Sequence, residues 1–146
     1  MNTRALRSAA ALLLAAGAAG VAACERTQRE PGELRLKTEV FAFTITPELS
    51  PPVAREPMIY KVVVRDRDSG QPVEDGEGQI FATSRDGAST WDGLSAGPEP
   101  GTYYGRLNFI TAGDWALAVR FRRDSTQNLE RVDWMQEVRN ARGEPL

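Results

Sequence analysis

Histidine is absent from all 146 residues, and cysteine occurs once, at Cys24. The first absence removes the usual base of a serine or cysteine nucleophile and the commonest ligand of transition metals. A Ser-Lys dyad does not replace it, because Lys37 and Lys61 lie in strand-like segments with no Ser-x-x-Lys spacing. One cysteine excludes an internal disulfide. Thioether sites for soft metals need several methionines, and beyond the leader only Met58 and Met135 remain. Carboxylates are plentiful, but no pair is set apart, so neither an enzyme nor a cofactor is expected. A basic excess is also missing: 18 Lys and Arg face 20 Asp and Glu, for a net charge of −2. A nucleic-acid footprint needs a concentrated basic face, so no nucleic-acid partner is expected.

The one apolar run is Ser8–Ala23, nearly all Ala, Leu, Gly and Val. It falls short of the ~20 residues that span a bilayer comfortably. Arg4 and Arg7 precede it without any acid, which is the charged start of a secretory signal. Residues 1–23 are therefore read as a removable, helical signal segment. The run closes on Val21-Ala22-Ala23-Cys24, which resembles the lipobox of bacterial lipoproteins. That resemblance implies cleavage before Cys24, a thioether-linked diacylglycerol on its sulfur and acylation of the new amino group. Two acyl chains give stable membrane anchoring. The second mature residue is Glu25; an aspartate there commonly retains lipoproteins in the inner membrane, so the outer membrane is favoured. Residues 24–32 are polar, end in Pro31-Gly32 and read as a flexible tether.

From Glu33 the pattern is β. Leu34, Leu36, Thr38 and Val40 share one parity, and Phe41, Phe43 and Ile45 continue on the other. The change of phase predicts a bulge or a strand crossing between two sheets. Pro47 and Pro51-Pro52 end the run. Met58–Arg65 predicts a second strand, apolar on both faces and therefore central. Asp66–Gly70 is turn chemistry, Gln71–Val73 resumes extended chain, and Gln79–Ser84 is a short strand. Ala88–Gly101 is expected to be a long loop pinned by Trp91 and Leu94. Thr102–Ile110 is a strand with Tyr103, Gly105, Leu107 and Phe109 on one side. The next strand turns Trp115, Leu117, Val119 and Phe121 inward and Arg120 and Arg122 outward.

Residues 124–142 fit two readings. Leu129, Val132, Met135 and Val138 sit three apart, as on a helix, whereas Val132, Trp134 and Val138 share a strand parity. A final strand after a turn near Ser125–Asn128 is favoured, because a helix would leave the Trp115 strand without a neighbour. Residues 33–140 thus predict an all-β, immunoglobulin-like antiparallel sandwich of about seven strands, with a tail at 141–146.

Tyr60–Val73, followed by Gly101-Thr102-Tyr103-Tyr104 and Ala112-Gly113-Asp114-Trp115-Ala116-Leu117, resembles the YtkA-like and FixH-like group of small bacterial extracytoplasmic β-sandwiches. The resemblance implies the fold, and a link to metal transport or to assembly of membrane oxidases, often through copper. The donors such a copper site needs are not in this sequence.

Four groups of residues are candidates for function. Asp66, Asp68 and Glu77, with Glu74 and Asp75 nearby, could supply oxygen ligands to calcium, although a solvated turn explains them as well. Trp91 and Tyr104 fall outside the inward parity and could form a partner-binding patch. Arg120 and Arg122 could meet an acidic partner or anionic headgroups. Cys24 would carry the lipid. The expected role is a non-enzymatic, membrane-anchored module that binds or supports another envelope protein, with metal or small-ligand handling as the alternative.

Overall fold

A computed structural model describes residues 30–141; the signal segment, Cys24, most of the tether and the last five residues lie outside them. The described part is all β, in two antiparallel sheets. The first sheet contains β1 (Leu34–Lys37), β2 (Phe41–Pro47), β3 (Pro57–Asp66), β7 (Thr102–Asn108) and β6 (Ser95–Ala96), in the order β1-β2-β3-β7-β6. The second contains β4 (Glu77–Ser84), β5 (Ser89–Gly93), β8 (Gly113–Arg122) and β9 (Glu130–Val138), in the order β5-β4-β8-β9. This is the strand order of an immunoglobulin-like sandwich, with β1 added beside β2 and β5 added beside β4.

The described strands number nine where the sequence suggests about seven, and the differences have local causes. The phase change near residue 40 is a hairpin, not a bulge or a crossing. Thr38 Oγ1 accepts the N–H groups of Val40 and Phe41 at 3.3 and 3.0 Å, and Thr38 N–H donates to the Phe41 carbonyl at 2.9 Å. The reversal sets Leu36 opposite Phe43 and Leu34 opposite Ile45, so both parities reach the same core. Gln71–Val73 contributes only an isolated bridge between Arg65 and Pro72. The expected loop 88–101 contains β5 and β6 instead.

β3 occupies the centre of its sheet, as its two apolar faces require. Tyr60, Val62 and Val64 are fully buried, while Ile59 looks outward at 41% exposure. Residues 130–138 form a strand, β9, paired with β8 along its whole length. Val132 and Val138 are buried, and Met135 is exposed, which is a strand alternation and not a helical stripe.

The core has two aromatic clusters. Phe121 meets Phe41 and Tyr103 edge-on, with centroids 5.3 and 5.1 Å apart, and Phe109 meets Trp115 at 5.1 Å. Such pairs add to simple area burial. The two sheets come close at Gly105, where an added Cβ would lie 2.5 Å from Ile80 Cγ2.

Candidate partner-binding site

The register of the second sheet lays out its outer face row by row. Trp91, Phe81, Ala118 and Asp133 stand side by side across β5, β4, β8 and β9. The next row is Ser89, Thr83, Ala116 and Met135, and the row on the other side brings Arg120 beside Arg131. Three strand spacings place Trp91 and Met135 about 15 Å apart. Both are open to solvent, at 69% and 67%. Between them lie the short side chains of Ala116, which is exposed, and Ala118, which is covered.

Phe81 is the half-buried centre of this face. The Arg120 and Arg131 guanidiniums lie 4.8 and 5.0 Å from its ring centroid. Stacking holds both cations in place at the rim. Asp133 pairs with Arg131, whereas Arg120 has no carboxylate partner among the described residues. An exposed Trp, an exposed Met and stacked arginines match the residue types enriched at protein interfaces.

The sequence candidates are divided by this geometry. Trp91 and Arg120 share the face. Arg122 lies one row beyond, committed to Glu77 at 2.6 Å. Trp91 does not pin a loop: it projects from a paired strand into solvent. Leu94, by contrast, packs on the core. Tyr104 lies on the outer face of the opposite sheet, between Lys61 and Ser95. Trp91 and Tyr104 therefore cannot serve one patch.

The acidic candidates are dispersed. Asp66 Oδ1 accepts the N–H groups of Asp68 and Ser69 and the Ser69 hydroxyl, and Oδ2 pairs with Arg123. The backbone and hydroxyl donors of Ser69 hold its carboxyl below the usual range, helped by Asp68 N–H and the Arg123 charge. Glu77 faces Arg122 across the second sheet. No group of three or more His, Cys, Asp or Glu side chains placed to hold a metal occurs among the described residues. The methionines do not fit copper either, since Met58 is in the core on β3 and Met135 is on the surface of β9.

Sequence reasoning missed Phe81, Arg131 and Met135. Phe81 was legible, because Ile80 and Ala82 occupy the inward parity of the same strand. Met135 was obscured by its three-residue spacing from Val132 and Val138. β5 gave no hydrophobic alternation, because its inward residues, Thr90 and Asp92, are polar. Asp92 Oδ2 accepts Arg106 N–H at 2.8 Å and Thr90 Oγ1 accepts Asn108 N–H at 3.1 Å, on the edge of β7 beyond the end of β6.

No protein-family model matches the sequence, and comparison with curated proteins finds no match. Solved structures do match. A DUF4426 family protein, PA0388 of Pseudomonas aeruginosa PAO1, aligns with a TM-score of 0.58 and 13% identity, covering 74% of this chain and 95% of that one. FetP of uropathogenic Escherichia coli strain F11, recombinantly expressed in the periplasm of E. coli BL21(DE3), aligns at 0.52 and 10%, covering 76% and 96%. A copper-bound variant of Campylobacter jejuni P19 aligns at 0.49 and 9%, covering 72% and 94%. At these identities the likeness is one of fold.

Proposed function

We propose that this chain is a non-enzymatic, lipid-anchored module of the bacterial envelope that docks another envelope protein through the outer face of its second sheet. The observation that carries the reading is the pairing of Trp91 with Met135 as open apolar groups on one rigid sheet face, around Phe81 and its two arginines. Beside Phe81 and Trp91 this face carries an open, shallow depression and not an enclosed pocket, which suits a protein surface better than a small molecule. The leader, Cys24 and the sandwich fold support an extracytoplasmic address and a place among domains of the YtkA-like kind. A copper-handling role of that kind finds no donor set among the described residues. Arg120, which has no carboxylate partner among the described residues, calls for an acidic group on the partner.

The test is co-purification of the full chain from detergent-solubilised membranes, with Trp91→Ala and Met135→Ala variants alongside. A partner recovered in fixed stoichiometry should be lost, by about 2 kcal/mol or more of binding for Trp91→Ala. Thermal stability should be unchanged, because both side chains are exposed. Recovery of bare chain, or of a partner indifferent to both substitutions, would contradict the reading.

A further inference from the structure

The first sheet has an outer face of a different character. Its outward strand positions hold five cations, Arg35, Lys37, Lys61, Arg65 and Arg106, and no carboxylate. Acids occur at the rim: Glu33 pairs with Arg35 at 2.7 Å and Glu99 with Lys61 at 3.5 Å. Lys37, Arg65 and Arg106 have no carboxylate partner among the described residues, on a chain whose net charge is −2. At one end a shallow groove runs between Pro47, Glu48, Ile59, Lys61 and Tyr104, and Glu30 lines it. Glu30, the first described residue, therefore sits on this face.

From Cys24 to Glu30 the chain reaches at most ~20 Å when fully extended. The body of a two-sheet sandwich is about as thick as that once outer side chains are counted. A lipid on Cys24 thus holds the face next to Glu30 nearest the bilayer. That face presents Lys37, Arg65 and Arg106 without carboxylate partners among the described residues and, at the groove that Glu30 and Glu48 also line, the amphipathic ring of Tyr104 beside Ile59; cations with an aromatic ring are the chemistry that favours an anionic headgroup layer.

We propose that the outer face of the first sheet lies against anionic phospholipid, with Tyr104 at the headgroups, and that the Trp91 face consequently points away from the membrane. The proposal rests on the anchor at Cys24 and adds an orientation to it. It makes the two faces a division of labour: one meets lipid, the other meets protein.

The test uses the full chain in its own membrane, with a photo-crosslinking phenylalanine analogue in place of Tyr104 or of Trp91. Mass spectrometry of the products should find phospholipid adducts at Tyr104 and not at Trp91. Lys37→Gln and Arg106→Gln should each lower the lipid adduct yield at Tyr104 roughly fivefold, while Arg120→Gln leaves it unchanged. Retention of the protein after a high-salt wash, with no lipid adduct at Tyr104 or equal adducts at Trp91, overturns the orientation and leaves the anchor standing. Release of the protein by that wash overturns the anchor, and the orientation with it.

Discussion

The Tyr103 hydroxyl donates to the Val73 carbonyl at 2.7 Å and accepts the Gly76 N–H at 3.0 Å. Tyr103 belongs to the first sheet, and Val73–Gly76 is the segment by which the chain passes from β3 to β4 in the second. A single buried hydroxyl thus fixes the crossover between the two sheets. Tyr60 is the opposite case. It is equally buried, but its hydroxyl has no partner among the described residues. Tyr103→Phe should cost about 1–3 kcal/mol by orphaning a buried carbonyl. Tyr60→Phe should be neutral or stabilising, within about 1 kcal/mol. Urea denaturation of the two variants checks this; equal effects would mean that hydroxyl pairing does not separate them.

The same two residues set the alkaline limit of the fold. Burial pushes both phenols above their ordinary value; for Tyr103 the Gly76 N–H opposes the shift and the nearby Asp75 and Glu74 charges add to it. Each phenol is thus more acidic in the unfolded chain, near pH ~10. Their contribution to stability is intact below that pH and is lost as pH rises through the folded values. Ultraviolet titration should show Tyr60 and Tyr103 ionising only together with loss of the β spectrum. Ionisation of these two phenols near pH ~10 with the fold retained would contradict the burial argument.

Close approach of the sheets at Gly105 predicts a sharp positional contrast. A Cβ there would meet Ile80 at 2.5 Å and Leu94 at 3.1 Å, whereas at Gly93 it would meet nothing within 4 Å. Gly105→Ala should destabilise by about 1–3 kcal/mol through overpacking, and Gly93→Ala by less than about 0.5 kcal/mol. Thermal denaturation of the pair is sufficient; equal shifts would show that the sheets yield at this point.

Asp92 and Thr90 serve as side-chain substitutes for a strand along the edge of β7. Without them the Arg106 and Asn108 N–H groups form an open edge, which is a template for association. Asp92→Ala should cost about 1 kcal/mol and raise the aggregation rate measured by light scattering. Unchanged scattering would show that β5 protects the edge by its bulk alone.

The strands that alternate apolar with polar residues were legible without coordinates. Trp115, Leu117, Val119 and Phe121 all lie within 1% of full burial, and Tyr103, Leu107 and Phe109 are buried on the expected side. What could not be read was whatever polar side chains organise. Thr38 closes a hairpin whose parity shift imitates a bulge, and β5 is held by Asp92 and Thr90, so no apolar period marks it. The candidate site was half legible for the same reason. Trp91 and Arg120 stood out as outward residues, but only the register across four strands brings Phe81, Arg131 and Met135 beside them and sends Tyr104 to the other sheet.

A membrane-held sandwich with one face for lipid and one for protein depends on Cys24 more than on any other residue. Intact-mass and peptide mass spectrometry of the protein isolated from its native membrane addresses that residue directly. The account predicts a chain that begins at Cys24, with diacylglycerol on the sulfur and an acyl group on the amino terminus. A chain that retains residues 1–23 and carries a free thiol at Cys24 would contradict it.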